Sequence, residues 1–165
     1  MKRLLAVTMV LAGLTAVGIA QTADTAKPNF AGTWKLNLQK SDLGQMAPNS
    51  ETYTVAQTAD QVKVTVVSDS QFGQFNYTFA AKLDGTETPL AADAFPADSP
   101  FRILTSKADW QGASLIISQT TSFQDSKGSL KSTYTLSADG KVLTKVTHIV
   151  FDQGAFDSTS VYDKT

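Results

Sequence analysis

Gly73-Gln74-Phe75-Asn76-Tyr77-Thr78-Phe79-Ala80-Ala81-Lys82-Leu83 is the stretch that decides the fold class. Phe75, Tyr77, Phe79, Ala81 and Leu83 alternate with Gln74, Asn76, Thr78, Ala80 and Lys82. Side chains of a strand point to opposite faces in turn, so this segment lays an apolar stripe on one side and a polar one on the other. The same alternation recurs outward in both directions. Trp34, Leu36 and Leu38 oppose Thr33, Lys35 and Asn37, while Leu130, Tyr134 and Leu136 oppose Lys131, Thr133, Thr135 and Ser137.

Between these runs lie regular turn signals: Ser70 to Gly73, Asp84-Gly85, Gln111-Gly112, Lys127-Gly128, Asp139-Gly140 and Gln153-Gly154. Glycine at such points supplies the positive φ that tight hairpins need. The runs are rich in Val, Ile, Thr, Tyr and Phe, which suit a pleated, half-buried surface. About nine strands are expected, near 33–39, 51–57, 62–68, 73–83, 101–109, 113–123, 129–137, 141–151 and 156–163. Consecutive strands joined by short turns are antiparallel neighbours. Strands of up to about eleven residues exceed the usual sandwich strand, and closure removes exposed edges. The expected fold is all-β: a single antiparallel up-and-down β-barrel.

Thr86 to Pro100 breaks the rhythm with Pro89, Pro96 and Pro100, and cannot be a central strand. A loop of this length suits a lid or a mouth-lining segment; a solvated connection is the alternative.

The chain has 165 residues, a formal net charge of −1, one His and no Cys. One domain is expected at this length. Without Cys there are no disulfides, no thiol nucleophile and no thiolate zinc site. Near-neutral charge argues against nucleic acid as a partner. Met1-Lys2-Arg3 followed by the 16 uncharged residues Leu4 to Ile19, then Gly18-Ile19-Ala20, has the shape of a signal peptide cut after Ala20. The apolar run is short for a bilayer span, so no membrane span is expected after processing, and a secreted or periplasmic location follows. Loss of residues 1–20 leaves 12 basic against 15 acidic residues, with Arg102 the one arginine. Residues 21–29 read as a flexible leader and 30–165 as the barrel domain.

Phe30-Ala31-Gly32-Thr33-Trp34-Lys35-Leu36 resembles the opening strand of the calycin superfamily. Lipocalins carry Gly-x-Trp there, and fatty-acid-binding proteins often carry Gly-Thr-Trp-Lys-Leu. Val161-Tyr162-Asp163-Lys164 is similar to the closing strand of the fatty-acid-binding proteins. The run Gly32 to Gly44, with Lys40-Ser41-Asp42, and Leu136-Ser137-Ala138-Asp139-Gly140-Lys141 resemble an uncharacterised set of secreted bacterial lipocalin-like proteins across most of the domain. The resemblance implies a calycin-type barrel and does not extend to a ligand. Gly32 and Trp34 are structural candidates, the glycine bending the entering strand and the indole plugging the narrow end. Departures limit what carries over. The closing strand has no Arg to lie against the Trp, as many lipocalins do, and Ser160 stands where fatty-acid-binding proteins place the Arg that binds the lipid carboxylate. Only the 12 residues Gln39 to Ser50 separate the first two strands, too few for that family's helical lid.

Candidate chemistry is sparse. His148 has no second His or Cys to share a metal with, and no metal site is expected. Nor does the sequence carry a nucleophile elbow or a phosphate-cradling loop, so neither catalytic residues nor a cofactor are expected. Asp84, Asp139 and Asp152 sit at turns; Asp93 and Asp98 lack a spaced ligand series for calcium. Polar residues on apolar faces are more informative. Gln119 and Thr121 share a face with Leu115, Ile117 and Phe123; Ser158 and Ser160 share one with Phe156 and Tyr162. A buried polar group left unsatisfied costs about 1–3 kcal/mol. A cavity holding water or a partly polar ligand would satisfy these groups, and an exposed corner would do so too. Arg102, after the long loop, could hold an acidic head group or pair with Asp93 or Asp98. Arg102, Tyr77, Gln119, Tyr134 and Tyr162 are therefore the candidate ligand-binding residues. Three functions stay open: an exported carrier of a small hydrophobic or partly polar molecule, a module binding a protein partner through its loops, and an enzyme using the barrel pocket.

Overall fold

Alternating sequence becomes alternating burial along one rolled sheet. The computed structural model describes residues 27–44, 47–71, 73–91, 94–95, 99–124 and 126–165. The expected signal peptide, most of the leader, and Asp93 and Asp98 lie outside the described residues. The strands are β1 (Gly32–Leu36), β2 (Ser50–Gln57), β3 (Gln61–Ser70), β4 (Gly73–Lys82), β5 (Thr88–Pro89), β6 (Phe101–Gln111), β7 (Ser114–Phe123), β8 (Ser126–Leu136), β9 (Val142–Phe151) and β10 (Gly154–Lys164). All pairings are antiparallel, in the order β4-β3-β2-β1-β10-β9-β8-β7-β6-β5. Pairing of β1 with β10, Trp34 opposite Lys164 and Leu36 opposite Tyr162, joins the two chain ends and rolls the sheet up.

The barrel is nearly closed. No ladder joins β4 to β5 or β6, and aromatic side chains fill that gap: Phe95 stacks on Tyr77 with centroids 4.8 Å apart and meets the edge of Phe101 at 6.2 Å. Phe95 belongs to the long loop and is buried, so at this point the loop packs into the barrel wall and is not merely solvated. The nine expected strands are present. The tenth, β5, is a two-residue ladder against Ser106 and Thr105, and Pro89 is tolerated there because it occupies a sheet edge.

Three local expectations are corrected. Leu38 does not continue the inner stripe of β1; it opens a one-turn 3₁₀ helix, Leu38–Lys40, capped by the Asn37 side chain accepting from Lys40 N at 3.2 Å, and it is exposed. Gly128 is not a turn residue. It lies inside β8 opposite Phe151, and a Cβ there would overlap the Phe151 ring; the neighbouring positive φ falls on Gln124 instead. Gly128→Ala should therefore cost about 1–3 kcal/mol through overpacking, read as a lower urea midpoint; an unchanged midpoint would contradict this register. Finally, the leader is tied down at its end: the Gln57 side chain donates to the Pro28 carbonyl at 3.1 Å and accepts from Phe30 N at 2.9 Å.

Two strands with apolar residues on both faces are oriented only by the fold. In β6 a bulge between Ile103 and Thr105 turns Leu104 outward and sends Ser106, Ala108 and Trp110 inward. In β9 the inward set is Leu143, Lys145, Thr147 and Ile149, leaving Val146, His148 and Val150 outside. Trp34, fully buried, stands at the end where the β2–β3, β6–β7 and β8–β9 turns gather. Its indole N–H donates to the Phe30 carbonyl at 2.9 Å, and the Lys164 ammonium lies 5.0 Å from its ring centre. Lys164 thus occupies the side of the Trp where no Arg was available. At the opposite end the β7–β8 and β9–β10 turns carry the exposed Phe123 and Phe156, with Phe151 6.2 Å from Phe123. Among the described residues no helix is long and apolar enough to cross a membrane.

Candidate functional site

Strand alternation sends five polar side chains into the same interior region: Glu51 and Tyr53 from β2, Tyr134 from β8, Lys145 from β9 and Tyr162 from β10. Tyr53 and Tyr162 flank β1, opposite Trp34 and Leu36, and their inward rings meet with centres 5.0 Å apart. The Lys145 ammonium donates to Tyr53 Oη at 2.6 Å and stands 3.8 Å from Glu51 Oε1. It also lies 4.7 Å and 5.7 Å from the ring centres of Tyr53 and Tyr162. Tyr162 Oη completes the cluster by donating to Glu51 Oε1 at 2.5 Å.

Burial alone would discharge Lys145, but the oxygens of Tyr162, Glu51, Tyr134 and Tyr77 outweigh it and hold the ammonium charged. The phenols move the other way. Burial, with Glu51 second, pushes Tyr53 and Tyr77 well above the usual tyrosine range. For Tyr134 and Tyr162 burial outweighs the lowering effect of Lys145. All four tyrosines of the chain are thus raised. A phenol that keeps its proton in the fold but loses it on unfolding makes the unfolded state bind fewer protons above about pH 10, so stability falls from there upward. The raised Lys145 acts in the same direction, its contribution present below the unfolded lysine value and lost above it. Tyrosinate absorbance at 295 nm should accordingly appear together with loss of β-structure in one alkaline transition. Normal titration of the phenols in the folded barrel would show that they are solvated.

A second inward group lies on β6 and β7. Ser106 Oγ, Gln119 Nε2 and Thr121 Oγ1 are buried and have no protein hydrogen-bond partner among the described residues. Ser106 and Gln119 face each other across the ladder. By contrast, Ser132 and Thr147 satisfy one another at 3.1 Å.

The structure therefore brings Tyr134, Tyr162, Gln119 and the half-buried Tyr77 onto one inner surface. Arg102 is not among them. It lies opposite Ser122 in the β6–β7 ladder, on the strand face opposite to buried Ile103 and close to the end of the long loop. Gly32 and Trp34 stand at the closed end, where a Cβ on Gly32 (φ +140°) would crowd Lys164 Cε at 2.9 Å. Sequence reading missed Lys145, Glu51, Tyr53 and Ser106. The alternation Glu51, Tyr53, Val55 was a usable signal for two of them; β9 and the bulged β6 offered none. His148 does have a carboxylate, Asp157 Oδ1 at 2.7 Å from Nδ1, but both side chains are more than half exposed on the outer face. Among the described residues no group of three His, Asp or Glu side chains is placed to hold a metal ion.

Compared with solved structures, the chain is similar to the zebrafish ileal bile acid-binding protein complexed with cholic acid. Identity is 14%, the TM-score is 0.52, and the match covers 82% of this chain and 98% of that one. It is also similar to a fatty acid binding protein of Schistosoma mansoni in complex with arachidonic acid, at 15% identity and TM-score 0.49, covering 82% of this chain and 96% of that one. No protein-family model matches the chain, and no curated protein matches it. The zebrafish likeness shows the fold: an all-β, nearly closed antiparallel barrel.

Proposed function

We propose that this chain is an exported carrier that holds a small, mostly apolar molecule with polar atoms inside the barrel. The observation that carries the reading is the trio Ser106 Oγ, Gln119 Nε2 and Thr121 Oγ1, buried and without protein partners among the described residues. Each such group costs about 1–3 kcal/mol if nothing answers it, a poor arrangement for a barrel whose interior is only packing. An apolar lining with a few placed polar groups is the usual composition of a ligand site, and the tyrosines supply the apolar surface. The zebrafish barrel of the same fold holds cholic acid, which supports the reading by analogy. Export rests on residues 1–20, proposed to be removed after Ala20.

Native mass spectrometry of the protein exported from cells through its own leader tests this. The expected spectrum shows residues 21–165 with an adduct of small-molecule mass that leaves on organic denaturation. Tyr134→Ala with Tyr162→Ala should strip the adduct. A clean mass, or an adduct untouched by that double variant, counts against the carrier reading or against this pocket, respectively. A protein-binding module is the second reading, favoured by exposed Phe123 and Phe156 at the end of the barrel opposite Trp34. It gains if the clean mass is accompanied by a co-purifying protein lost on Phe156→Ser.

A further inference from the structure

Resting on the carrier reading, we propose that the ligand is electrically neutral: an apolar molecule bearing hydroxyl, carbonyl or ester oxygens and no ionised acid. On the inward-facing positions of the described strands, away from the closed end where Lys164 is exposed, Lys145 is the one cation and Glu51 the one carboxylate. They stand 3.8 Å apart and offset each other, and each makes a hydrogen bond within the cluster, Lys145 donating to Tyr53 and Glu51 accepting from Tyr162. An ionised acid entering this region would add a second negative charge beside Glu51 and compete with it for the single cation. A cationic ligand would meet Lys145. Stripping either ion of water in a low-dielectric interior is costly unless it is paired.

What the interior offers instead is neutral hydrogen bonding. The Gln119 amide N–H can donate to a carbonyl or hydroxyl oxygen, while the Ser106 and Thr121 hydroxyls can donate or accept. These three groups suit an alcohol, ketone or ester and offer no full charge to a carboxylate.

A matched series decides the matter: oleyl alcohol, methyl oleate and oleate, each displacing the neutral dye Nile red from the wild-type protein at pH 7.5. The alcohol and ester are expected to bind at least tenfold more tightly than oleate. Oleate binding equally or more tightly would overturn the proposal while leaving the carrier reading intact. If the dye and every member of the series fail to bind, carriage itself fails and the proposal with it. Glu51→Gln, which leaves Lys145 without its carboxylate, is expected to shift the preference at least tenfold toward oleate. A folded Glu51→Gln protein with the wild-type preference would also overturn the charge argument. The wild-type series stands by itself if that variant does not fold.

Discussion

Trp34→Ala is expected to lower the unfolding free energy by about 3–5 kcal/mol, the range for emptying a large aromatic site in a core. The indole is fully buried, its N–H is satisfied by the Phe30 carbonyl at 2.9 Å, and the Lys164 ammonium covers its ring at 5.0 Å. Phe30 is itself buried and lies 6.0 Å from Trp110, so the cavity would open beneath the whole closed end. Trp34→Phe separates the contributions. It keeps most of the ring but leaves the Phe30 carbonyl without its donor, and should cost appreciably less than Ala. Urea titration of both variants gives the comparison. A loss below about 1 kcal/mol for Trp34→Ala would mean the floor can collapse or is held mainly by other residues.

Glu51→Gln or Lys145→Met alone should each cost about 3 kcal/mol, the lower end for breaking a buried ion pair. The lower end applies because the side chains retain 15% and 13% exposure. Either change leaves one charge inside the barrel without its counter-ion, although Tyr53 and Tyr162 still offer hydrogen bonds. The double variant, Glu51→Gln with Lys145→Met, removes both charges and should recover to within about 1 kcal/mol of wild type, since a neutral replacement of a buried pair is often harmless. Denaturation of the four proteins forms a double-mutant cycle. Additive losses would show that the two charges do not act together and would remove the basis for a balanced interior. The combination matters for function as well as stability, because a balanced pair leaves no uncompensated charge in the site.

Much of the architecture is written in local sequence. The alternation from Phe75 to Leu83 fixes the inner face of β4, and the Gly-marked turns separate strands that the structure pairs in the expected succession. The one extra ladder, Thr88–Pro89, is two residues long and depends on β6 for its existence. Among the candidate residues, Tyr134 and Gln119 were legible because each shares a face with neighbours of clear apolar character, whereas Tyr162 shares one with Phe156, Ser158 and Ser160.

Arg102 and Lys145 were not legible, and the reasons differ. Arg102 is conspicuous by type, but its face is set by the alternation with Phe101 and Ile103, whose inward sense follows from packing against Phe95 and the bulge at Leu104. Lys145 sits on a strand whose two faces both carry aliphatic residues, so period-two counting cannot choose between them. Hydrophobic alternation is a local signal, and together with the turn residues it established the all-β class, nine of the ten strands and the faces of the clearly amphipathic strands. Closure of the barrel is a long-range event. Pairing of β1 with β10 and the seating of Phe95 in the β4–β6 gap selected the inner face of β9 and brought Glu51 to Lys145, residues 94 positions apart in the chain that no local pattern connects.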